Sequence, residues 1–391
     1  MLSPRFQTRR YQLKKPAASA VRRRHPWVFR SQLSSATSPF SAGQWLRLFD
    51  HANQTLGFGI YEPHSVVGIR VLKTGSLPPT RDWLWQRVHN ALVHRLPLYE
   101  QTDALRLVHG ENDGLPGIVL DRYGDVAVLQ TYSAAVDTLG RYVAAIAREQ
   151  LGLKALAWRL PAKRKHSNGS LRTLYGTLPD NLPVHEGSLQ WQVPLKSGQK
   201  GGAFLDLRSL RRWIRRQTLE GKSVLNLFSN TGTLGLAALQ AGANHVLNVD
   251  SSLAAVEFGS HFHNTPGMEW KLADAFQWVR EPADRQYDLV IVDPPQVVSS
   301  VRKVPGALRT YSALHKGALS RLKPGGILIS CCCSSRIPRQ LFLDSARTDL
   351  SPNLKLRTVL QPELDHPVGF AEADYLKIAI FTSKESDKLT S

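Results

Sequence analysis

The chain's 391 residues suit two or three domains at roughly 150 residues each, and a hydrophobic share of 42% excludes wholesale disorder. No apolar run of about 18 residues offers a membrane span, so no membrane partner is expected. Fifty Lys and Arg against 31 Asp and Glu leave a net charge of +19, an excess that points to a polyanionic partner, most often nucleic acid.

The first stretch is basic and acid-free: no Asp or Glu precedes Asp50, and no apolar signal region is present. Arg22-Arg23-Arg24 is the first dense cluster and Lys163-Arg164-Lys165 the second, and both are candidates for RNA contact. From Pro26 to Leu72, short alternating runs (Trp45–Phe49, Gly57–Tyr61, Val66–Leu72) bounded by Gly, Pro and Asn predict a small β-barrel or sandwich. Gly75-Ser76-Leu77-Pro78-Pro79 reads as a linker.

A helix is predicted over Trp83–Leu96, then strands at Leu105–Gly110, Ile118–Asp121 and Val126–Thr131, with Asp121–Asp125 as a hairpin connection. A helix over Ala134–Gln150 and a strand at Ala155–Trp158 complete a small α+β region, and 161–169 reads as a basic loop. The expected division is residues 1–76, 77–190 and 191–391.

From Gly221 onward strands alternate with helices: Ser223–Phe228, Gly232–Ala241, His245–Asp250, Ser252–Phe262, Tyr287–Asp293, Leu308–Leu322 and Gly326–Cys333. That alternation predicts an α/β fold with a doubly wound, largely parallel, Rossmann-like sheet. The turn Ser229-Asn230-Thr231-Gly232 brings backbone N–H groups to the switch region of such a sheet. Asp250, one βαβ step later, is placed to accept ribose hydroxyls. Asp274, at the end of an expected third strand, is placed to meet an adenine amino group. Asp293-Pro294-Pro295 leaves the fourth strand as a stiff turn, since proline fixes φ and removes a donor.

The only three cysteines are adjacent: Cys331, Cys332 and Cys333. This excludes a disulfide framework and a spaced zinc-ligand set, so no metal is expected and a reducing, cytoplasmic setting fits. A thiol at the end of this strand is well placed for nucleophilic chemistry; small hydrophobic filling is the plainer reading.

Taken in order, Ser229–Gly232, Asp250, Asp274, Asp293-Pro294-Pro295 and Lys323-Pro324-Gly325-Gly326 resemble the motifs of class I S-adenosylmethionine-dependent methyltransferases. The chain as a whole resembles the RlmI-type family, 23S rRNA (cytosine-5) methyltransferases with an N-terminal PUA domain. The segments that carry this are His25–Phe29, Gly114–Gly117 with Asp121–Asp125, Gly198–Arg208, Leu227–Gly232, Asp293–Pro295, Pro324–Leu328, Cys333-Ser334, Asp365–Val368 and Tyr375–Lys377. Asn230 stands where that family commonly has Tyr.

The resemblance implies S-adenosylmethionine as cofactor and ribosomal RNA as partner, and it leaves a homodimer open. It adds Phe228, Asp206, Arg208 and Pro294 to Ser229, Asn230, Thr231, Gly232, Asp250 and Asp274 as cofactor-binding residues. It implies Cys333 as nucleophile and Asp293 as the residue holding the pyrimidine. Cys331 is the second choice of nucleophile, with Cys332 on the strand's other face. Two alternatives stay open at this stage: methylation of another nucleotide such as guanine, with no covalent step, and an inactive RNA-binding assembly factor.

Overall fold

A computed structural model describes residues 8–34, 40–160, 171–196, 203–298, 300–350 and 353–383. The chain forms two units, Met1–Asp180 with Leu364–Pro367, and Asn181–Glu363 with Val368–Ser391.

In the first unit the N-terminal sheet has five strands in the order Thr8–Gln12, Trp45–Phe49, Thr55–Tyr61, Val67–Thr74, Trp27–Phe29. The basic N-terminal run conceals two elements that its charge pattern did not predict. Thr8–Gln12 pairs parallel with Trp45–Phe49. Lys15–Arg22 is a helix with Pro16 in its first turn, where a missing N–H costs nothing. Its small residues Ala17, Ala18 and Val21 are buried with Leu46, Leu48 and Ile69. Small side chains between arginines are what a short helix needs to sit on a sheet and keep its charges in water.

A second sheet in this unit runs Leu171–Tyr175, Ala155–Arg159, Val126–Thr131, Ile118–Tyr123, Ala104–His109. The helix predicted from Trp83 starts at Arg81, because Thr80 caps it by accepting the Trp83 N–H. The hairpin predicted over 121–125 is tighter: strands run to Tyr123 and restart at Val126, with Gly124 at φ +54°. The segment Leu364–Pro367 belongs to this unit. Asp365, fully buried, accepts the Arg106 N–H at 2.9 Å and lies 2.9 Å from His366 Nδ1.

The second unit carries a hairpin, Asn181–Glu186 with Leu189–Pro194, and a seven-stranded sheet. Sheet order is Met268–Leu272, His245–Asp250, Ser223–Leu227, Tyr287–Val292, Leu322–Cys333, Leu376–Ser383, Leu354–Leu360. The first five strands are parallel, as the βα alternation predicted; the last two are antiparallel and were not predicted. Every residue of Ser223–Leu227 is buried, as a central parallel strand covered on both faces requires. The turn predicted at Lys323–Gly326 is a bulge: Tyr287 pairs with Leu322 and Leu289 with Ile327, and Gly325 takes φ +77°.

Candidate active site

The turn leaving Ser223–Leu227 is unusual in its backbone. Phe228, Asn230 and Gly232 all lie at positive φ, +60°, +48° and +81°. Glycine enters that region freely and asparagine tolerates it, whereas phenylalanine there is strained. Gly232 is required twice over, since a Cβ on it would come within 2.4 Å of the Trp270 ring. Asp250 holds the turn: one carboxylate oxygen accepts the Asn230 N–H at 2.7 Å, the other the Ser252 N–H at 2.8 Å.

His263, 3% exposed, holds it from behind. Its Nδ1 donates to the Thr231 carbonyl at 2.6 Å, and its Nε2 accepts the Gln192 N–H at 3.1 Å. Burial pushes its pKa down, which keeps the ring neutral and able to do both. Asp274 lies two residues beyond Met268–Leu272 and caps the next helix, accepting the Phe276 N–H at 2.9 Å. The Phe228 and Phe276 rings meet edge to face at 4.7 Å.

Two strands' ends bring the second half of the site together. Asp293 follows Tyr287–Val292 and is half-buried, and Pro294 behind it is buried. On the neighbouring strand, Leu322–Cys333, the thiols differ. Cys331 and Cys332 are fully buried, and Cys333 is partly exposed. The Cys333 thiol donates to the Pro294 carbonyl at 3.4 Å, which puts it against the Asp293-Pro294-Pro295 turn. Cys332 points the other way, into the core with Tyr311, whose hydroxyl hydrogen-bonds it. Burial pushes the Cys331 thiol well up, and the charge of Asp293 adds to the effect; burial likewise raises Cys332.

Asp206 and Arg208 are each held by side chains outside the Phe228–Gly232 turn. Asp206 accepts the Tyr375 hydroxyl at 2.7 Å. Arg208 is 1% exposed, with its guanidinium 3.6 Å from Glu363 and 3.9 Å from Glu186. Glu186 also takes Arg211 and Arg215, at 2.8 and 3.0 Å. These pairs seat the helix Arg208–Arg215 beside the hairpin.

Comparison with known proteins decides the family. Residues 144–381 match the S-adenosylmethionine-dependent methyltransferase family, and residues 12–74 match a PUA-like domain. A ribosomal RNA large subunit methyltransferase of Deinococcus radiodurans is 33% identical, with 95% of this chain and 96% of that protein covered. Ribosomal RNA large subunit methyltransferase I of Shewanella amazonensis is 32% identical, with 94% and 98% covered. The chain is an RlmI-type S-adenosylmethionine-dependent methyltransferase. A Streptococcus mutans protein assigned to the S-adenosylmethionine-dependent methyltransferases shares the fold at TM-score 0.83 and 20% identity, over 95% of this chain and 99% of that one. The protein SMU.776, solved with S-adenosylhomocysteine, does so at 0.84 and 19%, with the same coverage.

The residues of this RlmI-type enzyme suit its methyl donor. Ser229 Oγ, Asn230 Oδ1 and Thr231 Oγ1 are buried without a hydrogen-bond partner, three polar atoms in a row on the turn where a nucleoside is expected. Asp250 keeps further lone pairs for ribose hydroxyls, and Phe228 and Phe276 offer an aromatic wall. Sequence reasoning missed His263 and Trp270, because what they do depends on contacts across the fold.

The basic residues divide. Arg22 reaches the buried carboxylate of Asp50, Arg23 donates to Ser19 Oγ at 2.7 Å, and Arg24 is exposed at φ +61°. Lys163, Arg164 and Lys165 lie outside the described residues. Among the described residues no helix is long and apolar enough to cross a membrane, and no group of three His, Cys, Asp or Glu could hold a metal.

Proposed function

We propose that the protein forms 5-methylcytosine in large-subunit ribosomal RNA through a transient bond between Cys333 Sγ and pyrimidine carbon 6. The RNA class follows the names of its relatives, and the PUA-like match and the charge of +19 agree with it. One observation carries the chemistry: of three thiols, the partly exposed one rests at 3.4 Å on the Asp293-Pro294-Pro295 turn.

Carbon 5 of cytosine is a poor nucleophile. Addition of the Cys333 thiolate to carbon 6 moves electron density towards nitrogen 3 and makes carbon 5 enamine-like. Asp293 is assigned to the nitrogen edge. There its carboxyl group gives nitrogen 3 a proton as the thiolate adds and accepts the exocyclic amino N–H. Bound at the Phe228–Gly232 turn, S-adenosylmethionine supplies an electrophilic methyl group. Carbon 5 takes the methyl group and the donor leaves as S-adenosylhomocysteine. Water then takes the carbon 5 proton, the Asp293 carboxylate takes back the nitrogen 3 proton, and the thiolate is expelled as the aromatic ring is restored. Cys331 and Cys332 are poor rivals, because a sealed thiol cannot reach a base.

Capture of the RNA is assigned to residues 1–76, with 77–190 as a central domain and 191–391 as the catalytic part. A target base buried in a stack must be turned out to reach a thiol at a strand's end. Mapping 5-methylcytosine in ribosomal RNA from cells with and without the protein tests the reading. One cytosine of the large subunit is expected to lose its methyl group. An unchanged cytosine map, with methylation lost at another base, overturns it.

A further inference from the structure

The Trp270 ring, on the edge strand Met268–Leu272, is wedged between two glycines. Its tip, Cη2, is the atom that a Cβ on Gly232 would strike first, and also the atom that a Cβ on Gly259 would strike first. Both approaches lie well inside van der Waals contact. Gly232 closes the donor turn at φ +81°, and Gly259 lies inside the helix Leu253–Phe262. The tip therefore fills the gap between turn and helix, with no room for a methyl group on either side.

No hydrogen bond holds the ring, since its indole N–H is buried without a partner. Its place is set by packing alone. Gly259 is a poor choice inside a helix, where alanine is favoured, and the ring against it gives the reason. The same helix supports the turn a second way. At its end, His263 gives its backbone N–H to the Gly259 carbonyl at 2.8 Å and its Nδ1–H to the Thr231 carbonyl at 2.6 Å. One stretch of helix thus reaches two successive residues of the turn, Thr231 by a hydrogen bond and Gly232 by an aromatic ring.

We propose that Trp270 is a positioning residue for the methyl donor, a strut that carries the packing of Leu253–Phe262 to Gly232 and fixes the turn in its left-handed form. A free glycine samples many backbone conformations, and each must be given up when a ligand orders the turn. A ring pressed against Gly232 removes that freedom before the donor arrives, which favours binding. The proposal rests on reading Phe228–Gly232 as the donor turn and is independent of the cysteine chemistry.

The test is calorimetry with S-adenosylhomocysteine on the whole protein without RNA, with urea melts of the same variants. Gly259→Ala, a better helix former, drives the ring towards the turn; binding is expected to be about tenfold weaker. Trp270→Phe lacks the tip and is expected to bind about threefold more weakly. In the double variant the added methyl occupies space that the shorter ring vacates. Its affinity is expected within about threefold of wild type, where independent effects would multiply to about thirtyfold. A double variant as weak as Gly259→Ala, or weaker, overturns the proposal. So does a Gly259→Ala that loses stability yet binds as wild type does, the result of a merely structural role. Should Gly259→Ala fail to fold, Trp270→Phe and Trp270→Ala decide: progressively weaker binding supports the strut, and wild-type binding overturns it. Gly232→Ala strains the turn directly and separates the two readings. Wild-type binding there removes the donor reading and the strut with it; weaker binding there, with none in Gly259→Ala, removes the strut alone.

Discussion

The turn after Ser223–Leu227 and the end of Leu322–Cys333 lie in one sheet with a single strand between them, and they are built in opposite ways. The first holds three residues at positive φ and three buried side-chain oxygens without partners. At the second, Lys377 takes the Ser334 and Asp374 carbonyls, Arg339 takes the Asp374 carboxylate, and the Cys333 thiol rests on Pro294. The contrast teaches a division of labour. The turn stores strain and unmet polarity, which the proposed nucleoside site would put to use. The end of the cysteine strand has its polar groups met in advance, so on the proposed mechanism little reorganisation remains for a base to bind there.

The comparison breaks first at the thiols. Cys333→Ser is expected to cut methyl transfer by at least about a thousandfold, because serine's hydroxyl is a far weaker nucleophile than a thiolate. Cys331→Ser leaves chemistry in place and costs about 1–2 kcal/mol in a urea melt by burying a hydroxyl in a thiol's place. If the two variants exchange these phenotypes, the assignment of faces is wrong.

At the donor turn, Gly232→Ala must place a Cβ against Trp270 in a left-handed backbone. Calorimetry with S-adenosylmethionine is expected to show binding about tenfold or more weaker, with about 1–2 kcal/mol lost in stability. Undiminished binding would show that the turn's strain serves something other than the donor.

Acid probes two histidines that the fold keeps neutral, His263 behind the donor turn and His109 in the first unit. Burial, then Arg106 and His366, depress the pKa of His109 from 6.5 to about 2, and burial depresses that of His263. Both rings stay neutral in the fold while the unfolded chain takes up protons below about 6.5. Stability is therefore full above that value and is lost as pH falls below it. Each ring costs up to about 1.4 kcal/mol per pH unit, less for the half-buried His109. Urea midpoints at neutral and mildly acid pH check this, and a flat profile contradicts it. The smallest effect is expected at Arg24. Arg24→Ala is expected to weaken RNA binding a few-fold at all sequences and to reduce the salt slope by about one.

What could be read from the sequence follows the range of the interactions involved. The strand His245–Asp250 coincides with its predicted bounds, because a buried parallel strand between helices announces itself in a short window. Alternation along Leu322–Cys333 likewise separates Cys332 from its neighbours. The helix Lys15–Arg22 was hidden because its buried face is only Ala17, Ala18 and Val21 within a run of positive charge. Leu354–Leu360 and Leu376–Ser383 were missed because their antiparallel pairing is set by distant partners. His263 carries no local signal, since it acts through Thr231 and Gln192; Lys377 stands out only within the segment Tyr375–Lys377, and its bonds to Ser334 and Asp374 cannot be read there.

The most direct measurement is a covalent trap. Large-subunit ribosomal RNA containing 5-fluorocytosine, incubated with S-adenosylmethionine and the enzyme, cannot lose a proton from carbon 5, so the thiol stays attached. Wild type and Cys331→Ser are expected to give a denaturant-resistant protein–RNA band whose cross-linked peptide carries the base on Cys333, and Cys333→Ser to give none. A wild-type enzyme that methylates unmodified RNA yet forms no such band, or a band that survives Cys333→Ser, would contradict the account.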